Sequence, residues 1–136
     1  MVAVESRLIR LLRVLLGVLM VAQGVNHFVL TDLMVRIMPT YLPGARALVL
    51  ASGAAEVALG LAVFWRGSRS WAGWGLLALL VAVFPANIEM VRRAHDFPEL
   101  PVLALWLRLP LQFVFGYWVW VTCLRVLRVV PPSSRA

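Results

Sequence analysis

Ser52-Gly53-Ala54-Ala55-Glu56-Val57-Ala58-Leu59-Gly60 lies inside an otherwise apolar run, residues 45–65. About 20 apolar residues make a helix long enough to cross the hydrocarbon core of a bilayer. This run therefore reads as a membrane span with one carboxylate near its middle. An acid at that depth costs about 3 kcal/mol on insertion scales, so it marks a functional site by default. Ser52, Glu56 and Gly60 recur every fourth residue and share one helix face. The fold has to supply whatever Glu56 faces.

The rest of the chain repeats the pattern. Its 136 residues are 62% hydrophobic and 14% charged, against about 25% charged in soluble domains. Apolar residues come in long runs, and residues 76–88 contain no charge at all. A soluble helical bundle would need charged faces there. The composition thus predicts an all-α polytopic membrane protein, one domain over residues 1–136, with transmembrane helices over about 8–30, 46–65, 71–91 and 102–125. Short connections force the four helices into an antiparallel bundle.

Arg7, Arg10 and Arg13 precede the first run, which also describes a signal peptide, with Ala22-Gln23-Gly24 as a weak cleavage site. The run continues past that point to Leu30, so a retained helix is the expectation. In the connection 31–44, Pro39 and Pro43 bracket a stiff extended segment, and the apolar residues before them fit a short interfacial helix. Pro85 should kink the third helix and free a carbonyl for a polar neighbour. The fourth helix is expected to reach Leu124 or continue to Val130, followed by a frayed tail.

All thirteen basic residues are arginines, and the net charge is +7. They cluster at helix ends and in loops, where topology signals and head-group contacts belong, so nucleic acid is not the partner; the lipid bilayer is. Arg7, Arg10, Arg13, Arg66, Arg69, Arg125, Arg128 and Arg135 fall on one side. Arg36, Arg46, Arg92, Arg93 and Arg108 fall on the other. This bias predicts both termini in the cytoplasm and a multi-pass protein of the cell membrane. Cys123 is the single cysteine, which excludes an internal disulfide and any CxxC redox pair.

Helix alternation then gives the depth of each polar residue. Gln23, Asn26 and His27 end the first helix. Glu56 lies roughly 15 Å into the second, at 1.5 Å per residue. Asn87 and Glu89 end the third, and Arg108 and Gln112 open the fourth. All fall in the outer half of the bilayer, while the inner half is almost purely apolar. A polar cavity open to the outside is one reading, with His27, Asn26, Glu56, Asn87, Glu89, Arg108 and Gln112 as ligand-binding residues. Buried charges are paired or neutralised, and a Glu56–Arg108 pair is the obvious means. The other reading is that these groups only hold helices together. Ion conduction ranks third, because the inner half offers no polar path. One histidine with two glutamates is too thin for a metal site, and His95 beside Asp96 reads as a solvated surface histidine.

Five stretches occur in order: Gly24-Val25-Asn26-His27-Phe28, Met38-Pro39-Thr40-Tyr41-Leu42-Pro43, the stretch around Glu56, Phe84-Pro85-Ala86-Asn87-Ile88-Glu89-Met90, and Arg108-Leu109-Pro110-Leu111-Gln112. This succession, over about residues 7–125, resembles the DoxX-like family of small four-helix membrane proteins. Its namesake is linked to a membrane thiosulfate:quinone oxidoreductase, and other members to redox or oxidative-stress complexes. The resemblance implies an accessory subunit that holds a small amphipathic ligand, a quinone being the candidate, for a redox-enzyme partner. Its motif residues here are His27, Pro39, Pro43, Glu56, Pro85, Asn87, Arg108 and Gln112. In that role Asn87, Arg108 and Gln112 would bind the ligand's head, and Glu56 and His27 would orient it or exchange protons. The lone Cys123 departs from members linked to disulfide chemistry. The alternative is a non-catalytic structural protein or assembly factor.

Overall fold

A computed structural model describes residues 6–125. Among them the chain is all-helical, without a strand: α1 Arg7–Val29, α2 Thr31–Arg36, α3 Ala45–Ala62, α4 Arg69–Arg92, a 3₁₀ turn Ala94–Asp96, and α5 Val102–Val119, which runs on as a π-helical segment Trp120–Arg125. Four helices are long and apolar enough to cross a membrane: α1, α3, α4 and the continuous Val102–Arg125. The continuation to Val130, the tail, and Arg128 and Arg135 lie outside the described residues.

The helix ends follow from local chemistry. Ser6 caps α1, its hydroxyl oxygen accepting the Ile9 N–H at 3.2 Å, as small polar residues do at an N-cap. At the other end the Thr31 hydroxyl reaches the His27 and Phe28 carbonyls at 2.8 and 2.9 Å, two of the acceptors a helix terminus leaves open. The chain then turns into α2, the short helix foreseen in the connection. α3 stops at Ala62, short of the expected residue 65. Ser68 Oγ donates to the Ala62 carbonyl at 2.8 Å and Arg69 Nε to the Val63 carbonyl at 3.2 Å. These side chains take acceptors that a further helical turn would use.

Glycines set the closest approach. A Cβ built on Gly24 would lie 2.6 Å from the Gly53 carbonyl oxygen; one on Gly53 would lie 2.5 Å from His27 Cβ. Gly17 and Gly60 meet in the same way, a Cβ on Gly17 falling 2.9 Å from the Gly60 carbonyl. Small residues let helix backbones touch where lipid offers no hydrophobic drive to association. α4 uses the same device: a Cβ on Gly73 would meet Cys123 Cβ at 2.8 Å and one on Gly75 would meet Leu59 at 2.6 Å.

The buried core, formed by Leu16, Val63, Ala72, Leu76, Val119, Cys123 and Leu124, gathers at one end of the helices. Elsewhere large apolar side chains face outward, among them Val81, Leu103 and Phe113. A continuous apolar exterior of this kind suits lipid contact.

Candidate functional site

The glycine contacts bring α1 flush against α3, and His27 lies at the seam. Its Nδ1 is 3.0 Å from the Val49 carbonyl oxygen. A carbonyl only accepts, so Nδ1 carries the hydrogen and donates it. Ser52 Oγ lies 3.4 Å from the same nitrogen. Nε2 is thereby turned toward Glu56, whose Oε1 is 3.7 Å away, beyond ordinary hydrogen-bond length. Glu56 is 7% exposed, and its Oε2 is buried with no hydrogen-bond partner among the described residues. Buried polar groups are normally paired. With Nδ1–H committed, a neutral His27 offers Glu56 only a lone pair. An attractive contact needs a proton on Glu56 or a second one on His27. The arrangement leaves Glu56 Oε2 a buried acceptor without a donor among the described residues.

Glu56 does not meet Arg108. No ion pair joins them among the described residues; Arg108 is exposed on α5, its Nη1 3.6 Å from Met90 Sδ. The reason is azimuth. The glycine seam turns the Ser52–Glu56 face of α3 toward α1, while Arg108 lies against the end of α4. The polar residues therefore fall into separate groups, and no hydrogen bond or ion pair among the described residues joins these groups into one cavity. Asn87 Nδ2 donates to Gln112 Oε1 at 2.8 Å, and Gln112 Nε2 donates to the Leu80 carbonyl. That carbonyl is one residue before Val81, whose usual helical donor Pro85 cannot supply. Glu89 Oε2 accepts from the exposed Arg92 at 3.5 Å. Asn26 is exposed on α1 beside His27, and its side chain is not part of the seam.

Two buried arginines went unread in the sequence except as topology signals. Arg13 Nε donates to the Thr122 carbonyl at 3.1 Å, and Arg69 donates to Val63 as above. Both stand near Cys123, which is fully buried in the π-helical segment. Each arginine precedes a close-packing glycine by one turn, Gly17 and Gly73, and that spacing is the signal that could have found them. Trp118 Nε1 adds a bond to the Leu12 carbonyl at 3.1 Å.

Two surface cavities among the described residues are lined by neither His27 nor Glu56. One is an apolar groove of about 380 Å³ between α4 and α5, with Phe84, Phe113 and Gln112 in its walls. The other, about 470 Å³, lies where the connection after α2 meets the 3₁₀ turn. His95 is exposed and pairs with Asp96 at 3.1 Å. Among the described residues no three His, Cys, Asp or Glu side chains gather as metal ligands.

Fold and site define an all-helical protein with four helices capable of crossing a membrane and one buried acid–imidazole pair between two of them. The chain belongs to the family described as Domain of unknown function (DUF8561), whose model matches residues 16–123. No curated protein and no solved structure matches it.

Proposed function

We propose that this is a multi-pass protein of the cytoplasmic membrane that binds a small amphipathic molecule at the His27–Glu56 pair, as an accessory subunit of a redox system. The observation that carries the proposal is Glu56 Oε2, a buried acceptor without a donor. A ligand hydroxyl would complete it, and His27 Nε2 stands ready to share the proton. A quinol fits that chemistry. The resemblance to the DoxX-like family contributes the redox partner.

The four spans form an antiparallel bundle in this reading, with both termini cytoplasmic. The charge pattern supports it. Arg7, Arg10, Arg13, Arg66, Arg69 and Arg125 belong to one end of the helices. Around the other end Arg36, Arg46, Arg92 and Arg93 are each paired with an acid. An excess of arginine marks the cytoplasmic side.

Helix association is the better reading for two of the expected ligand residues. The Asn87–Gln112–Leu80 chain satisfies these amides against one another and a backbone carbonyl. The test is mass spectrometry of small molecules released from gently purified protein. Wild type should release a stoichiometric amphiphile and Glu56→Gln should not. An intact fold with no such molecule in either sample would sink the proposal.

A further inference from the structure

A second site is visible far from Glu56. The cleft of about 470 Å³ is lined by Arg36, Thr40, Ala45, Arg93 and Phe97, and by Asp96, a carboxylate that Arg93 holds. Phe97 is 2% exposed, and both guanidinium carbons, of Arg36 and of Arg93, lie 5.8 Å from its ring centroid. A cation over an aromatic face is held in place without losing its charge. Ala45 is the first residue of α3, and no side chain caps that helix end; Gly44 precedes it at φ 69°. The positive end of the helix dipole therefore faces the same space.

The charges around the cleft differ in availability. Arg93 Nε is bound to Asp96 Oδ2 at 2.8 Å, and Asp96 also has His95 at 3.1 Å. Arg36 has a looser partner, Glu99 at 3.4 Å, with both side chains about half exposed. Such surface pairs hold weakly, so Arg36 can exchange Glu99 for a better acceptor. Met38 and Leu42 add apolar wall beside these donors.

We propose that this cleft binds the anionic head, a phosphate or carboxylate, of an amphiphile, with Arg36 as the recognising residue and Arg93 and Phe97 as its support. The site is independent of the His27–Glu56 pair: Ala45 and Glu56 are eleven residues apart on α3, roughly 16 Å at 1.5 Å per residue.

Calorimetric titration of the purified protein in dodecyl maltoside with dodecyl phosphate tests this. The expected result is saturable binding at one site, weakened at least about tenfold in Arg36→Gln, the loss of one charge-assisted contact. Arg36 is more than half exposed, so the variant keeps its fold. Arg46→Gln should bind like wild type, since Arg46 pairs with Asp32 and does not line the cleft. Displacement by inorganic phosphate would support the site with a soluble anion as its source. Failure of inorganic phosphate to displace would support it with a lipid as its source. Equal binding by wild type and Arg36→Gln, or none by either, overturns the proposal.

Discussion

His27 donates its Nδ1 hydrogen to the Val49 carbonyl at 3.0 Å, and that single bond decides which nitrogen Glu56 meets. The tautomer is imposed by the backbone of the neighbouring helix. The contact exists because Gly24 and Gly53 let α1 and α3 approach until His27 Cβ touches the Gly53 position.

His27→Ala removes a donor from a backbone carbonyl and the neighbour of a buried acid. It should lower stability by about 1–3 kcal/mol. Ser52→Ala, which touches only the 3.4 Å contact, should cost under about 0.5 kcal/mol. Reversible unfolding in mixed micelles measures both. Equal losses would mean that His27 is not the hub of the seam.

Glu56→Gln keeps shape and hydrogen-bonding capacity while removing the charge. Its melting temperature should equal or exceed that of wild type, because a desolvated charge is removed and the amide N–H can donate to the His27 Nε2 lone pair. A large fall in stability would show that the carboxylate itself holds the helices together and would favour the structural reading.

Gly53→Ala puts a methyl 2.5 Å from His27 Cβ and 2.9 Å from the Gly24 carbonyl. Overpacking of this kind costs about 1–3 kcal/mol. Gly116→Ala meets only Leu77 and Leu80 at ordinary contact distances, 3.7 and 3.8 Å. It should be neutral or stabilising by up to about 1 kcal/mol through helix propensity. Thermal melts of the two variants should move apart; a common shift would refute the close α1–α3 contact.

Gln112→Leu strands Asn87 Nδ2, removes the side-chain donor to the Leu80 carbonyl and should cost about 1–3 kcal/mol. Adding Asn87→Leu removes the stranded amide, so the double variant should be less destabilised than the two single changes summed. Additive losses would show that the two amides are not coupled.

The orientation proposal has its own test. In a Cys123→Ser background, His95→Cys should react with a membrane-impermeant thiol reagent applied to intact cells, and Gly67→Cys should not. The opposite labelling would invert the topology.

Much of this was legible in the primary structure. Span positions followed from apolar run length, whereas the polar contact beside Pro85 falls on the Leu80 carbonyl, one residue before the carbonyl that Pro85 leaves without its helical donor. Arg108 was the expected partner of Glu56; His27 meets it instead because Gly24 and Gly53 bring α1 flush against α3. Arg108 was misjudged because depth along a helix says nothing about rotation around it. Arg108 and Glu56 share a predicted level, yet one lies beside Met90 and the other faces α1. Arg13 and Arg69 were hidden by the habit of treating arginines at helix ends as solvated. Their burial depends on carbonyls exposed by the Val63 turn and the π-helical segment, and the glycine one turn after each, Gly17 or Gly73, is the one local sign of it.

The π-helical segment makes chain length at that end a matter of registration. A π turn holds about one residue more than an α turn. Deleting one residue within Trp120–Arg125 would close the wide turn to α geometry and return to the helix the carbonyls that the turn opens. The Thr122 carbonyl would then no longer be open to Arg13. The extra residue acts as a shim: α5 keeps its apolar stripe against α4 along its length, and its last turn is re-aimed to close on α1.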